Sequence, residues 1–237
     1  MTVLVPRMDI LPPAQMRLWP ELQPAANLGF VLYGGTAIAL RLGHRQSVDF
    51  DFFTDRPLDR DALHSAFPFL ANSQVLQDQP NTYCVLAPHG DDERSHVKVS
   101  FFGGIGFGRV AEPEWTDDEN LLVASFDDLM ATKVKVVLQR VEAKDYHDVA
   151  AMVTAGVSLA KGLSSARQLY GSAFQPSEAL KALVYFEGGD LHTVSAPERQ
   201  TLINAVSAVR ELPEVSLAAK TLADAGPHKT WGHDFRM

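Results

Sequence analysis

A single cysteine, Cys84, stands among the 237 residues of the chain, which excludes an intramolecular disulfide and any cysteine-rich zinc site. It falls in an apolar stretch, Thr82 to Leu86, that reads as a strand, so it is expected to act as a small buried hydrophobe. Long apolar runs are missing as well: nowhere do roughly eighteen apolar residues follow one another, as a membrane-crossing helix requires. The first residues lack the basic-then-apolar pattern of a secretion signal, because Asp9 and the Pro12-Pro13 break follow directly on Arg7. A cytoplasmic protein with no membrane partner is the expectation. A basic excess is also absent: 21 Lys and Arg face 29 Asp and Glu, a net charge of −8, which excludes a general electrostatic grip on long nucleic acid. Internal repeats and low-complexity tracts are lacking too, and with 46% hydrophobic residues the chain can bury a substantial core.

What is present begins at Tyr33-Gly34-Gly35-Thr36. Val31 and Leu32 read as the end of an apolar strand, the two glycines as a turn needing φ > 0 or close backbone approach, and Thr36 to Leu42 as the start of a helix. A helix N-terminus beyond a glycine turn offers free N–H groups and the positive end of the helix dipole to phosphate, and the Thr36 hydroxyl can either cap the helix or add a donor. Further on stands Asp49-Phe50-Asp51-Phe52. In a strand, Asp49 and Asp51 share one face while Val48, Phe50 and Phe52 take the other. Two carboxylates on one face suit Mg²⁺ or Mn²⁺, which take oxygen ligands and are bound through one or two carboxylates together with substrate phosphates. A solvated acidic edge is the plain structural reading of the same pair.

Downstream, Asp127-Asp128-Leu129-Met130-Ala131-Thr132-Lys133 leads through Arg140 to Lys144-Asp145-Tyr146-His147-Asp148. With one helix running from Phe126 to Arg140, Lys133 and Arg140 lie two turns apart on one face and Lys144 extends the row. Such a row is either a solvated basic stripe or a holder for anionic groups.

The two blocks together, Gly34-Gly35-Thr36 with Arg41 and His44-Arg45-Gln46-Ser47-Val48-Asp49-Phe50-Asp51-Phe52-Phe53, then Lys133 to Asp148, resemble the signature of the AbiEii/AbiGii toxin-type nucleotidyltransferases. The resemblance spans roughly residues 28 to 155. It implies an α+β fold, a nucleotidyltransferase-type mixed sheet with flanking helices followed by a C-terminal helical region, here divided as residues 1–118 and 119–237. It further implies metal-dependent transfer of a nucleoside monophosphate from a triphosphate to an acceptor hydroxyl. Asp49 and Asp51 would be the metal ligands, Gly34, Gly35, Thr36, Arg45, Ser47, Lys133 and Arg140 would contact the nucleotide, and Asp49, Asp51, Lys133 and Asp145 would carry the chemistry. A transfer RNA or other RNA end is the implied acceptor and an antitoxin protein the implied partner. A local basic patch suffices for such a task, and Arg41, His44, Arg45, Lys133, Lys135, Arg140 and Lys144 cluster in the two blocks.

One departure concerns the third carboxylate that many nucleotidyltransferases draw from a later strand. The strand here reads His96-Val97-Lys98-Val99-Ser100-Phe101-Phe102, with Ser100 where an acid is expected. Two metals are the usual device of such transfer, and a hydroxyl is a far poorer ligand than a carboxylate, so either the second metal is held mostly by the substrate, or Asp145, the preferred candidate, or Asp148 substitutes, or activity is weakened. The alternative for Asp145 is a helix cap, and the alternative for the whole chain is a catalytically weakened nucleotide-binding or regulatory module.

The remaining pattern places helices at Pro13 to Leu22, Asp59 to Phe67 with Asp59 as N-cap, and strands at Phe30 to Tyr33, Ser73 to Gln77, Thr82 to Leu86 and Val97 to Phe102. Pro88 to Asp92 reads as a hairpin turn. From the N-cap Ser125 onward helices are expected at 126–140, 143–154, 159–171, 177–186, 196–212 and 214–223. The glycine run Gly103 to Gly108 lacks the following helix of a dinucleotide site and is expected to be a loop able to move over a bound nucleotide. His147 is expected to be a helix-surface residue, and His44 merely to flank its loop.

Overall fold

The computed structural model describes residues 3–88 and 96–223, and the expected turn at Pro88 to Asp92 lies, from His89 on, outside the described residues. The strands are β1 (Val3–Leu4), β2 (Val31–Tyr33), β3 (Asp49–Phe53), β4 (Gln74–Gln79), β5 (Thr82–Pro88), β6 (His96–Phe102), β7 (Glu114–Thr116) and β8 (Leu122–Val123). They form a mixed sheet in the order β1-β7-β8-β2-β3-β6-β5-β4. The helices are α1 (Pro13–Leu18), α2 (Pro24–Asn27), α3 (Gly34–Leu42), α4 (Arg60–Ala66), α5 (Phe126–Val136), α6 (Ala143–Thr154), α7 (Leu159–Tyr170), α8 (Pro176–Leu183) and α9 (Ala196–Ala208). The architecture is therefore α+β, a mixed sheet with helices on its faces and a helical C-terminal part. The sheet also takes in Leu122–Val123, which lies between β2 and β7.

Alternation along β3 decides which face is core. Phe50 and Phe52 are fully buried, and Phe52 stacks on Phe101 of β6 at 5.6 Å between ring centroids, with Phe30 at 5.3 Å and Phe67 at 5.2 Å from the same ring. Each such ring withdrawn from water contributes about 1.5–3 kcal/mol before entropy is counted. Val48 departs from expectation: it precedes the strand and is exposed. Cys84 is buried in β5, as its apolar setting suggested. The opposite face carries Tyr33, stacked on Phe53 at 4.8 Å, and is covered there by Phe107, which meets Tyr170 of α7 at 5.1 Å. Asp49 and Asp51 project from it.

Local signals place several ends. Asp59 caps α4 by accepting from the Ala62 N–H, Ser125 caps α5 by accepting from Asp128, and Gly43 closes α3 in the left-handed conformation. Other ends follow tertiary demands. The helix expected at Pro13 to Leu22 gives way to a 3₁₀ turn at Trp19–Leu22, where Pro20 interrupts, and Trp19 Nε1 donates to Asp118. The long helix expected to reach Arg140 stops at Val136, and α6 begins with its Ala143 N–H donating to the distant Asp190 carboxylate at 2.7 Å. The helix expected at 196–212 ends at Ala208, where Val209 turns to extended backbone, and the one expected at 214–223 does not form. There the main chain docks instead on Arg109, through an Arg109–Ala219 bridge, and Leu222 donates to Asp55.

Candidate active site

Three elements meet at the acid pair. β2 delivers the chain to Gly34, which opens α3 with φ +76°, while β3 runs antiparallel beside β2, setting Asp51 opposite Tyr33. A Cβ at Gly34 would sit 2.7 Å from Asp51 Oδ2, so the acid lies directly against the bend. A Cβ at Gly35 would lie 2.3 Å from Arg45 Nη2 and 3.2 Å from Ser47 Oγ. Both glycines are thus needed, but only Gly34 for its backbone angle; Gly35 is needed for close approach. The diglycine is not a turn ahead of the helix. It is the helix's own first turn, whose N–H groups have no intrahelical acceptor.

Thr36 neither caps α3 nor projects outward. It is buried, and its hydroxyl donates to the Asp49 carbonyl and meets Ser47 Oγ at 2.9 Å, tying the helix to the loop that leads into β3. Asp49 and Asp51 share the open face, and parallel pairing with β6 sets Lys98 beside Asp49 and Ser100 beside Asp51. Lys98 Nζ is 3.6 Å from Asp49 Oδ2. Burial pushes the Asp51 carboxyl above its ordinary value and Asp49 adds to the rise, while Lys98 and Lys133 oppose it. Ser100 is fully buried; its hydroxyl has no partner in hydrogen-bond geometry, yet lies near enough to help hold Asp51 down.

Beside this pair lies a network of ion pairs. Lys133 Nζ is 2.7 Å from Asp145 Oδ1 and 2.6 Å from Asp148 Oδ2. Arg140 donates to both oxygens of Asp145, at 2.8 and 3.1 Å. Arg45 donates to both oxygens of Asp148, at 2.7 and 2.9 Å, and His44 Nε2 lies 2.8 Å from the same carboxylate. Burial alone would raise Asp148, but His44, Lys133 and Arg45 outweigh it and hold that carboxyl far below the usual range. Asp145 is lowered in the same way, Arg140 and Lys133 overcoming its burial.

Two expectations are corrected by these contacts. Asp145 is no third acid beside Asp49 and Asp51, because both its oxygens face cations; nor does it cap α6, whose N-cap is Glu142. Lys133, Arg140 and Lys144 do not form one helical row. Lys133 belongs to α5, Arg140 lies beyond its end and folds back to Asp145, and Lys144 pairs with Glu142 at the surface. Among the described residues no cluster of three or more His, Cys, Asp or Glu side chains is arranged to hold a metal, so any cation here rests on the Asp pair and its substrate.

Other motif residues serve the frame. Arg41 pairs with Glu114 and donates to the Ala124 carbonyl, clamping α3 to β7 and β8. His147 faces away from the network and meets Glu198 of α9 at 2.7 Å. The glycine run at Gly103 to Gly108 is a loop, as expected, but a tethered one: Gly103 donates to Asn81, Gly104 to Arg56 and Ile105 to Thr54. Sequence reasoning gave no site role to Lys98 and no structural one to His44. The signal for Lys98 is the β3–β6 register, which only the folded sheet reveals.

The site thus sets paired aspartates of a mixed sheet against the glycine start of a helix. Solved structures share the fold: MenT4, a nucleotidyltransferase toxin from Mycobacterium tuberculosis H37Rv, aligns with a TM-score of 0.53 at 12% identity over 84% of this chain and 92% of its own. An antigenic nucleotidyltransferase-like protein from Paracoccidioides brasiliensis aligns with a TM-score of 0.51 at 14% identity, over 86% and 94%. An uncharacterized protein of Aquifex aeolicus (strain VF5) is 30% identical over 173 residues, 70% of this chain and 80% of that one. The family model described as "Nucleotidyl transferase AbiEii toxin, Type IV TA system" matches residues 18–221. The chain belongs to that family and is a nucleotidyltransferase of the toxin type. No helix among the described residues is long and apolar enough to cross a membrane.

Proposed function

We propose that the protein transfers a nucleoside monophosphate from a nucleoside triphosphate to an acceptor hydroxyl, with Mg²⁺ or Mn²⁺ held by Asp49 and Asp51. The observation that carries this reading is the contact of Asp51 with the Gly34 bend, which brings a cation ligand and a phosphate-accepting helix start to one place. The donor set fits the ion: two carboxylates on one open face, Asp49 partly exposed, leave the remaining positions to triphosphate oxygens and water. When bound, the ion neutralises phosphate charge and acidifies the attacking hydroxyl.

The protein's own part is positioning. The first turn of α3, from Gly34 through Gly35 to Thr36, offers N–H donors to the triphosphate, and Thr36 with Ser47 fixes the bend against β3. Arg45, seated over Gly35 and braced by Asp148, and Arg140, braced by Asp145 and 43% exposed, set positive charge along the triphosphate tail. Lys133, buried between Asp145 and Asp148, positions both arginine braces and adds its charge beside Asp51. In-line attack forms the bond between acceptor oxygen and α-phosphorus, the α–β bridging bond breaks, pyrophosphate leaves with the electron pair, and the hydroxyl proton passes to water. Residues 1–118 supply the acids, the bend and Arg45, and the later part supplies Lys133 and Arg140.

The family's description as the toxin of a type IV toxin–antitoxin system supports an antitoxin as protein partner; an RNA end, a transfer RNA included, is the acceptor we propose, in a cytoplasmic setting. Incubation with α-labelled triphosphates, Mg²⁺ or Mn²⁺ and total RNA tests the reading. Label should become covalently attached to one RNA class with release of pyrophosphate. Absence of label from all four triphosphates, with neither RNA nor protein acceptor modified, would leave only the nucleotide-binding alternative.

A further inference from the structure

Opposite the glycine bend, the acid pair is flanked by a side chain that none of the motifs contains. Strand order β2-β3-β6 puts Gly34 on one side of β3 and Lys98 on the other, with Asp49 and Asp51 between them. The Lys98 ammonium stands 3.6 Å from Asp49 Oδ2, too far for a saturated hydrogen bond, and the two side chains are 39% and 35% exposed. So open a pair adds little to stability, and the ammonium has donors left for a third partner. Next to it, register-matched to Asp51, stands the neutral Ser100. The other carboxylates nearby, Asp145 and Asp148, are fully engaged by Lys133, Arg140, Arg45 and His44. Among the described residues, two acids and one lysine therefore face the open site, with no third acid to receive a second divalent ion.

We propose that Lys98 takes the place of a second metal ion, so that the site works with one divalent cation and one ammonium; this deepens the nucleotidyl-transfer reading and rests on it. Asp49 and Asp51 would hold the cation on the side of the bend, where the triphosphate would lie. The Lys98 ammonium lies on the acceptor side and donates to a non-bridging oxygen of the α-phosphate, where charge builds as the acceptor oxygen bonds to phosphorus and the bond to pyrophosphate breaks. Its fixed positive charge also repels a second divalent ion from the position that Ser100 leaves without a ligand.

Titration of the intact protein with Mn²⁺ in the presence of an α,β-methylene triphosphate, read by electron paramagnetic resonance, tests the inference directly. One tightly bound Mn²⁺ per chain is expected in the wild type, and two in the double variant Lys98→Ala, Ser100→Asp. Turnover of Lys98→Ala should fall about a hundredfold with triphosphate affinity changed less than threefold, the scale of losing one charge-stabilising donor in a transition state. Two Mn²⁺ per wild-type chain, or unaltered turnover in Lys98→Ala, overturns this inference while leaving nucleotidyl transfer standing. Failure of the wild type to bind Mn²⁺ and nucleotide at all overturns the parent reading and this one with it. Should Lys98→Ala fail to fold, the wild-type stoichiometry still decides.

Discussion

At the scale of single residues, the distinction that matters is between charges that are satisfied and charges that are not. Asp145 and Asp148 are enclosed by cations, whereas Asp49 and Asp51 face one another and an open lysine. Replacing Asp49 or Asp51 by Ala should therefore abolish label transfer while leaving the thermal midpoint unchanged or raised, because burial and like charge already work against the ionised Asp51. Retained transfer by Asp51→Ala would refute its role as a metal ligand. Replacing Asp148 has the opposite signature. Asp148→Asn leaves Arg45 without its buried counter-charge and Lys133 with Asp145 alone, and should cost about 3–5 kcal/mol, measured by urea unfolding.

At the scale of elements, the start of α3 is the vulnerable joint. Gly34 holds φ +76°, and an added methyl there would press on Asp51. Gly34→Ala should lower stability by about 1–2 kcal/mol through the left-handed backbone alone and weaken triphosphate binding as Asp51 is displaced. Isothermal titration of the folded variant with wild-type affinity would show that the bend plays no part in binding. Gly35→Val should disrupt the same turn by pushing Arg45 away, for a reason of space and not of backbone angle. The helices α5 and α6 form a second joint. Their junction breaks where local periodicity would continue, because Arg140 must fold back to Asp145 and the α6 N-terminus takes its cap from Asp190.

At the scale of the whole molecule, the ion-pair network joins the loop before β3 to α5 and α6, so it should govern the response to acid. Asp145 and Asp148 have folded-state values below their ordinary ones, near 3.9 for a free aspartate. Their stabilising contribution is full above that value and is lost as pH falls through the lower folded values. Urea midpoints should hold steady down to about pH 5 and then decline, and the decline should be shallower in Asp148→Asn. An equally steep decline in that variant would place the acid sensitivity elsewhere.

Residue order by itself determined the paired acids on one strand face, the glycine bend, the caps at Asp59 and Ser125, the buried setting of Cys84 and the resemblance that names the family, because each depends on neighbours within a few positions. Tertiary structure decided what distant residues do to one another. It seated Arg45 on Asp148, turned Asp145 from candidate ligand to counter-ion, stopped helices at Val136 and Ala208, and drew the 214–223 segment onto Arg109. It also set Lys98 beside Asp49 through a parallel pairing of strands nearly fifty residues apart. Local conformation follows from propensity and period, but strand partners and buried charge pairs are chosen by the energy of the whole packed chain.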